Sequence, residues 1–179
     1  MGEIRKTRLA TVWLSGCSGC HMSFLDQDER IIELSEKVEL VYSPLVDVKD
    51  FPENVDLTLI EGAVGNKHQL DLLKRVRERS KIIVSFGDCA VTANVAGLRN
   101  AWIESEAALQ RAYLENVDIK PGIPTDVPKL LKKAYPLHEA VKVDHYVPGC
   151  PPPADLINYV LMELLSGRTP NMEGKSKYG

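Results

Sequence analysis

The sequence predicts an α/β fold: an open, mostly parallel five-stranded sheet with helices on both faces. Three observations carry that expectation. Short apolar runs alternate with segments of helical periodicity, and the apolar runs end in turns marked by Gly or Pro. The chain has 179 residues, enough to bury roughly 70% of its extended surface without disulfide staples. Hydrophobic residues make up 44% and charged residues 26%; these near-average values exclude disorder, collagen and coiled coil. Twenty-two Lys plus Arg against 25 Asp plus Glu give a net charge of -3, without the basic excess of a nucleic-acid binder. No apolar run reaches the roughly 18 to 20 residues that span a bilayer. Neither nucleic acid nor membrane is expected as a partner.

The elements follow in order. The first strand is expected over Thr7–Leu14, ending in the turn Ser15-Gly16-Cys17. A helix over Met22–Glu36 follows, with Phe24, Leu25, Ile31 and Ile32 on one side. Val38–Leu45 is the second strand, and Val55–Ile60 the third, apolar enough to be central and covered on both faces. After the loop from Glu61 to Gly65, a helix spans Lys67–Arg79 with Leu70, Leu73 and Val76 inward. Lys81–Phe86 is the fourth strand, then Gly87-Asp88-Cys89 and a short helix over Ala90–Ala96. Lys142–Val147 is the fifth, ending at Pro148-Gly149-Cys150. Pro152 and Pro153 open the last helix, Leu156, Ile157, Val160, Leu161, Leu164 and Leu165 line it, and Gly167 and Pro170 close it. Residues 97–140, punctuated by four prolines, form an irregular excursion of short helices and turns packed on the same domain. This alternation predicts a flavodoxin-like topology and one domain over residues 1–179.

Four cysteines stand out: Cys17, Cys20, Cys89 and Cys150. The charged stretch 1–8 leads into an apolar run too short for a signal-peptide core, so the chain is expected in the cytoplasm. Thiols stay reduced there, and four of them are better read as metal ligands or redox groups than as two disulfides. For any one cysteine the plain alternative is a small buried hydrophobe, but every one here lies in a Gly- or Pro-marked turn. Each turn follows a parallel strand at its carboxyl end, the edge where open α/β sheets bind ligands. Four thiolates meeting there suit a tetrahedral zinc or a [4Fe–4S] cluster. Structural zinc usually takes two close pairs, whereas only Cys17 and Cys20 are paired here. Gly16, Gly19, Gly87 and Gly149 let backbone N–H groups approach an anionic cluster. The balance favours the cluster.

Cys17-Ser-Gly-Cys20, Gly87-Asp-Cys89-Ala-Val-Thr92 and Pro148-Gly-Cys150-Pro-Pro-Pro153 resemble the three cluster motifs of [NiFe]-hydrogenase small subunits. These share a cluster domain with the twenty-kilodalton subunit of NADH:quinone oxidoreductase. The quinone-reductase relatives carry adjacent cysteines in the first motif, so the separation of Cys17 from Cys20 points to the hydrogenase branch. The run Gly19-Cys20-His21-Met22-Ser23-Phe24-Leu25-Asp26, with no export signal and no cysteines for further clusters, is most similar to cytoplasmic, bidirectional NAD-reducing enzymes.

The resemblance implies a hydrogenase component with no hydrogen-activating site of its own. Cys17, Cys20, Cys89 and Cys150 would ligate one proximal [4Fe–4S] cluster, and the nickel–iron centre would lie on a partner large subunit. Electrons would pass to diaphorase subunits carrying FMN, iron–sulfur clusters and NAD. Two alternatives stand beside this: a cytoplasmic hydrogenase with a deazaflavin or ferredoxin acceptor, and a zinc-stabilised structural domain.

Lesser candidates surround the cysteines. His21 reads first as a first-turn helix residue facing a partner, and second as a tuner of the cluster or a proton route. Glu61 reads first as a solvated or hydrogen-bonded carboxylate, and second as a proton relay. Asp88 is expected to cap the helix after it. Trp13 and Phe86 are expected to pack in the core or an interface, and His68, His138 and His145 to be structural. Flavin is not expected on this chain, because the cysteines occupy the position it would take.

Overall fold

The structure is a computed structural model, and it describes residues 5–101 and 105–178. Four residues of the charged stretch 1–8, three of the excursion 97–140 and the last position of the chain thus lie outside the described residues. Strand β1 (Thr7–Trp13) leads into helix α1 (Gly19–Leu25), helix α2 (Arg30–Lys37) and strand β2 (Val38–Tyr42). Strands β3 (Val55–Glu61) and β4 (Val64–Asn66) precede helix α3 (Lys67–Arg79) and strand β5 (Ser80–Phe86). Helices α4 (Asp88–Thr92), α5 (Asn94–Gly97) and α6 (Ser105–Gln110) follow, then strands β6 (Leu130–Tyr135) and β7 (His145–Val147) and helix α7 (Ala154–Leu165).

The main sheet has five parallel strands in the order β2-β1-β3-β5-β7, the flavodoxin-like order. As expected, β3 is central, with all but one of its residues buried. Its pleat sends Leu57 and Leu59 to one face, where α1, α2 and α7 supply Cys20, Leu34, Leu156, Ile157, Val160 and Leu161. Ile60 turns to the other face, against Leu73 and Val76 of α3, Ala90 of α4 and Phe51. Burying a Leu or Ile side chain is worth roughly 1.5–3 kcal/mol, and both layers of such contacts meet across β3.

Several elements depart from expectation. The helix foreseen over residues 22–36 begins earlier and is two helices. Asp28 sits in the left-handed region (φ 50), and Gln27, 1% exposed, donates its side-chain amide to the Phe24 carbonyl and so ends α1. The buried residue of α2 is therefore Leu34, while Leu25 and Ile32 are 39% and 65% exposed. The helix foreseen over 90–96 is likewise broken, at Ala93 (φ 67). The fifth strand shortens to His145–Val147: the Asp144 N–H still donates to the Ile83 carbonyl at 3.0 Å, but the Ile83 N–H turns to the Asp144 carboxylate, which also accepts from Arg77.

The excursion does contain 3₁₀, α and π turns, but it also holds β6, which pairs antiparallel with β4 as a separate two-stranded sheet. The loop 61–65 thus supplies a strand. Asn100 pins the small sheet by giving and taking a hydrogen bond with the Ala134 backbone, both at 2.8 Å. Arg99 reaches the Leu131 and Gly65 carbonyls.

Candidate functional site

Register places the site. Trp13 pairs with Glu61, Glu61 with Phe86, and Phe86 with Val147. These four residues form the last rung of the sheet at its carboxyl edge, next to the point where strand order reverses. The three cysteine loops leave the chain just beyond this rung, so parallel pairing alone brings them side by side.

Each loop is then fixed by its own contacts. Beyond β1 and β3 the chain makes one antiparallel bridge, Ser15 with Ala63, at 3.0 and 2.8 Å. This holds the Cys17 loop against Gly62, whose φ of +90 and three backbone neighbours at 2.9 Å leave no room for a side chain. Ser18 precedes α1 in a left-handed conformation (φ 66), and the Gly19 N–H donates to the Cys17 sulfur at 3.4 Å. After β5, Gly87 (φ +82) passes so close to Cys20 that a Cβ there would stand 2.1 Å from its sulfur. The Gly87 N–H donates to the Val147 carbonyl and the Asp88 N–H to the Gly149 carbonyl. The cap position of α4 is Gly87 and Asp88 is its first residue, whose carboxylate accepts from the Gly149 N–H at 2.6 Å, tying the Cys89 loop to the Cys150 loop. Ser23 of α1 donates to the Pro152 carbonyl at 2.6 Å, tying the first motif to the third.

The structure therefore brings all four cysteines together, each of them free. Cys20 is buried and Cys89 half-buried, whereas Cys17 and Cys150 are exposed. Burial, then the Glu61 carboxylate and the other three thiols, push the Cys20 thiol well up. Burial also raises Cys89, against a lowering influence from the Val95 and Ala96 backbone amides. A donor set of four sulfurs beside a carboxylate is crowded with latent negative charge. A metal cation or cluster relieves that crowding by holding the sulfurs as thiolates. The donors present thus fit a cationic metal group bound by sulfur.

His21 and Glu61, foreseen as separate minor candidates, are a bonded pair. His21 does lie in the first turn of α1, but it is 6% exposed and turned inward rather than towards a partner, and Glu61 is 1% exposed rather than solvated. One carboxylate oxygen accepts from the His21 N–H at 3.0 Å and from its ring Nδ1 at 2.5 Å. Ser18 makes no side-chain cap, so Glu61 caps the helix that carries Cys20 from a neighbouring strand. The His21 ring meets Phe86 edge-on at 6.4 Å. Sequence spacing gave no sign of this pair, since the partners lie 40 residues apart. The signal available was a carboxylate in the last rung of an otherwise apolar central strand.

Phe86 is core, as expected, while Trp13 is 47% exposed and donates its ring N–H to the Gly16 carbonyl. His68, His138 and His145 stay away from the site: His68 and His138 are exposed, and His138 stacks edge-on with Tyr146.

Comparison with known proteins agrees with this geometry. The family model described as NADH ubiquinone oxidoreductase, 20 Kd subunit, matches residues 17–164, a span that contains all four cysteines. The chain is 41% identical over 169 residues to the delta subunit of the NAD-reducing hydrogenase HoxS of Cupriavidus necator, covering 91% of this chain and 80% of that one. It is 34% identical over 170 residues to a subunit of the vhu F420-non-reducing hydrogenase of Methanocaldococcus jannaschii, covering 94% of this chain but 59% of that relative's length. The crystal structure of an NAD+-reducing [NiFe]-hydrogenase in the H2-reduced state matches with a TM-score of 0.92 at 40% identity, covering 98% of this chain and 100% of that one. A Dm. baculatum [NiFeSe]-hydrogenase matches at TM-score 0.58 and 16% identity over 98% of this chain and 70% of its own, a likeness of fold alone. The chain belongs to the NADH ubiquinone oxidoreductase 20 Kd subunit family and, within it, groups with subunits of hydrogenases.

Proposed function

We propose that this chain is the electron-transfer small subunit of a [NiFe]-hydrogenase and that Cys17, Cys20, Cys89 and Cys150 hold one [4Fe–4S] cluster. The observation that carries the reading is the meeting of the four cysteines at one sheet edge, in a chain 41% identical to a subunit of an NAD-reducing hydrogenase. Among the described residues, no three His, Cys, Asp or Glu side chains form a set that could hold a single metal ion. Structural zinc usually takes two close-spaced pairs of ligands, whereas only Cys17 and Cys20 are paired here.

A [4Fe–4S] group bound here supplies a one-electron relay whose potential depends on hydrogen bonding and burial. The chain's own residues do the rest. Glu61 and His21 hold α1 and so fix Cys20, and Asp88 holds the Cys89 and Cys150 loops together. Close glycine backbone keeps water from the inner sulfurs. The exposed sulfurs of Cys17 and Cys150 lie among surface residues such as Trp13, Met22 and Pro151, which gives a partner a partly apolar face to cover. We assign that face to a large subunit bearing the nickel–iron centre, with NAD and FMN on a diaphorase module. The whole chain then works as one iron–sulfur domain in the cytoplasm; among the described residues no helix is long and apolar enough to cross a membrane. NAD+ is favoured over a deazaflavin or ferredoxin as acceptor by two likenesses: 41% identity to a subunit of an NAD-reducing hydrogenase, and a TM-score of 0.92 to an NAD+-reducing enzyme.

Iron and acid-labile sulfide analysis of anaerobically purified protein tests the cluster, and about four of each per chain is the expected result. One equivalent of zinc without iron sinks the reading. In the assembled enzyme, Cys150→Ser is expected to abolish H2-dependent NAD+ reduction, and retained activity would overturn the assignment.

A further inference from the structure

Cys150 is exposed and stands in the most proline-rich turn of the chain. Between Val147 and Ala154, the four prolines have no N–H, so Gly149 and Cys150 hold the only backbone donors. The Gly149 N–H goes to the Asp88 carboxylate at 2.6 Å, and the Gly149 carbonyl accepts from the Asp88 N–H at 2.9 Å. Those bonds fix the near side of Cys150 on the second motif. On its far side, three consecutive prolines offer no donor. The tie there comes from the first motif: Ser23 Oγ donates to the Pro152 carbonyl at 2.6 Å, across 129 positions of sequence. A serine within a helix can return its hydroxyl to a carbonyl of the preceding turn, but Ser23, 5% exposed, reaches out of its helix instead. It lies three residues after Cys20 on α1, and both are buried. One face of α1 thus presents a sulfur and also holds the loop of another. The turn is stiff enough to transmit that tie. Each proline ring locks φ at about −65°, and a Cβ on Gly149 would stand 2.6 Å from the Pro152 Cα. A shift at Pro152 therefore moves Cys150 rather than fading between them.

We propose that Ser23 is a positioning residue for Cys150, its hydroxyl setting where that exposed sulfur stands relative to Cys20. The proposal rests on the reading of the four cysteines as ligands of one cluster. Residues behind the ligands orient them, and a ligand left loosely placed lets its iron depart first. Arg30 offers a comparison. It joins the same two layers of the fold through Asp155 at 2.7 Å, but at the surface and on α7 itself, beyond the prolines that follow Cys150.

The test uses the full chain by itself, purified anaerobically, so that no cluster of a partner contributes. Ser23→Ala removes the hydroxyl, Ser23→Thr keeps it, and Arg30→Ala breaks only the surface pair. Iron content and melting temperature are read first. Ferricyanide then takes one electron from the cluster as one iron leaves as Fe2+, and the three-iron cluster left behind has its own EPR signal. That signal is expected to grow about tenfold faster in Ser23→Ala than in wild type, with Ser23→Thr and Arg30→Ala close to wild type. A wild-type rate in Ser23→Ala overturns the proposal. So does a rate in Ser23→Thr or Arg30→Ala as fast as that of Ser23→Ala, since the hydroxyl would then not be what matters. Should Ser23→Ala carry no iron, Ser23→Thr decides: iron restored to the wild-type level sustains the proposal, and an empty Thr variant overturns it. Absence of iron from the wild type overturns the cluster reading instead, so the two failures are distinct.

Discussion

The two ends of the sheet are held by different physics. At the amino end, long charged side chains do the work. Asp56 gathers Arg5, Lys81 at 2.7 Å and the Arg8 backbone N–H at 2.9 Å. Arg77 binds Asp144 at 2.6 Å together with the Ser80 and Lys81 carbonyls. At the carboxyl end almost every contact is backbone, glycine or a short polar side chain, and the one carboxylate–histidine pair is fully buried. Long exposed ion pairs adjust to substitution, and each is worth roughly 0–1 kcal/mol. Close backbone contacts have no slack. The end that holds the four cysteines is thus the rigid one, and the other is tolerant.

That contrast can be broken or sharpened by substitution. The largest effect is expected at Gly87→Ala, where a Cβ would stand 2.1 Å from the Cys20 sulfur on a backbone of φ +82. We expect loss of about 3 kcal/mol or more and loss of bound iron, read by thermal unfolding and iron analysis; wild-type values for both would refute the rigidity of this end. Next comes Glu61→Ala, which leaves the His21 N–H and ring without their acceptor inside the protein. A cost of about 2–3 kcal/mol is expected, with Glu61→Gln, still an acceptor, recovering most of it. Equal losses in the two variants would show that the charge, not the cap, matters.

The amino end should respond more mildly. Burial pushes the Asp56 carboxyl up, but Lys81, the Arg8 N–H and Arg5 outweigh it and bring it down to about 2. A carboxyl lowered by folding stabilises the protein above its unfolded value and loses that contribution as pH falls through its folded one. Asp56 therefore contributes on the order of 1–2 kcal/mol at neutral pH, allowing for its exposed partners. The contribution fades between about pH 4 and pH 2. Asp56→Asn should remove it and flatten the acid limb of a denaturation series; an unaltered acid limb would place the acid sensitivity elsewhere. Smallest of all is Lys67→Ala. It removes an exposed i,i+4 pair with Asp71, and the melting temperature should stay within measurement error.

How much of this was legible in the sequence depends on range. Helix α3 lies where spacing put it, residue for residue, because Leu70, Leu73 and Val76 form one local stripe. The last helix and the cysteine turns were legible for the same reason: each is written in fewer than about fifteen neighbouring residues. What was missed is held from afar. Gln27 ends α1 by folding into the core, the Asp144 carboxylate takes the Ile83 N–H and Arg77 in place of a longer ladder, and β6 exists only because β4, Arg99 and Asn100 wait for it. At the site, the cysteines were visible as a set, but their inequality was not. Which sulfur is buried and which exposed, and the Glu61–His21 bond beneath Cys20, arise from the rung Trp13, Glu61, Phe86 and Val147. That alignment spans 134 positions from Trp13 to Val147.

The unequal exposure of the sulfurs also bears on biogenesis. With Cys17 and Cys150 open, Cys20 buried and Cys89 half-buried, the proposed cluster would have one accessible side from which iron and sulfide could be delivered to the lone chain. A partner covering that side would close delivery and repair. On that reading loading would come before docking, and a subunit that docked empty would stay empty.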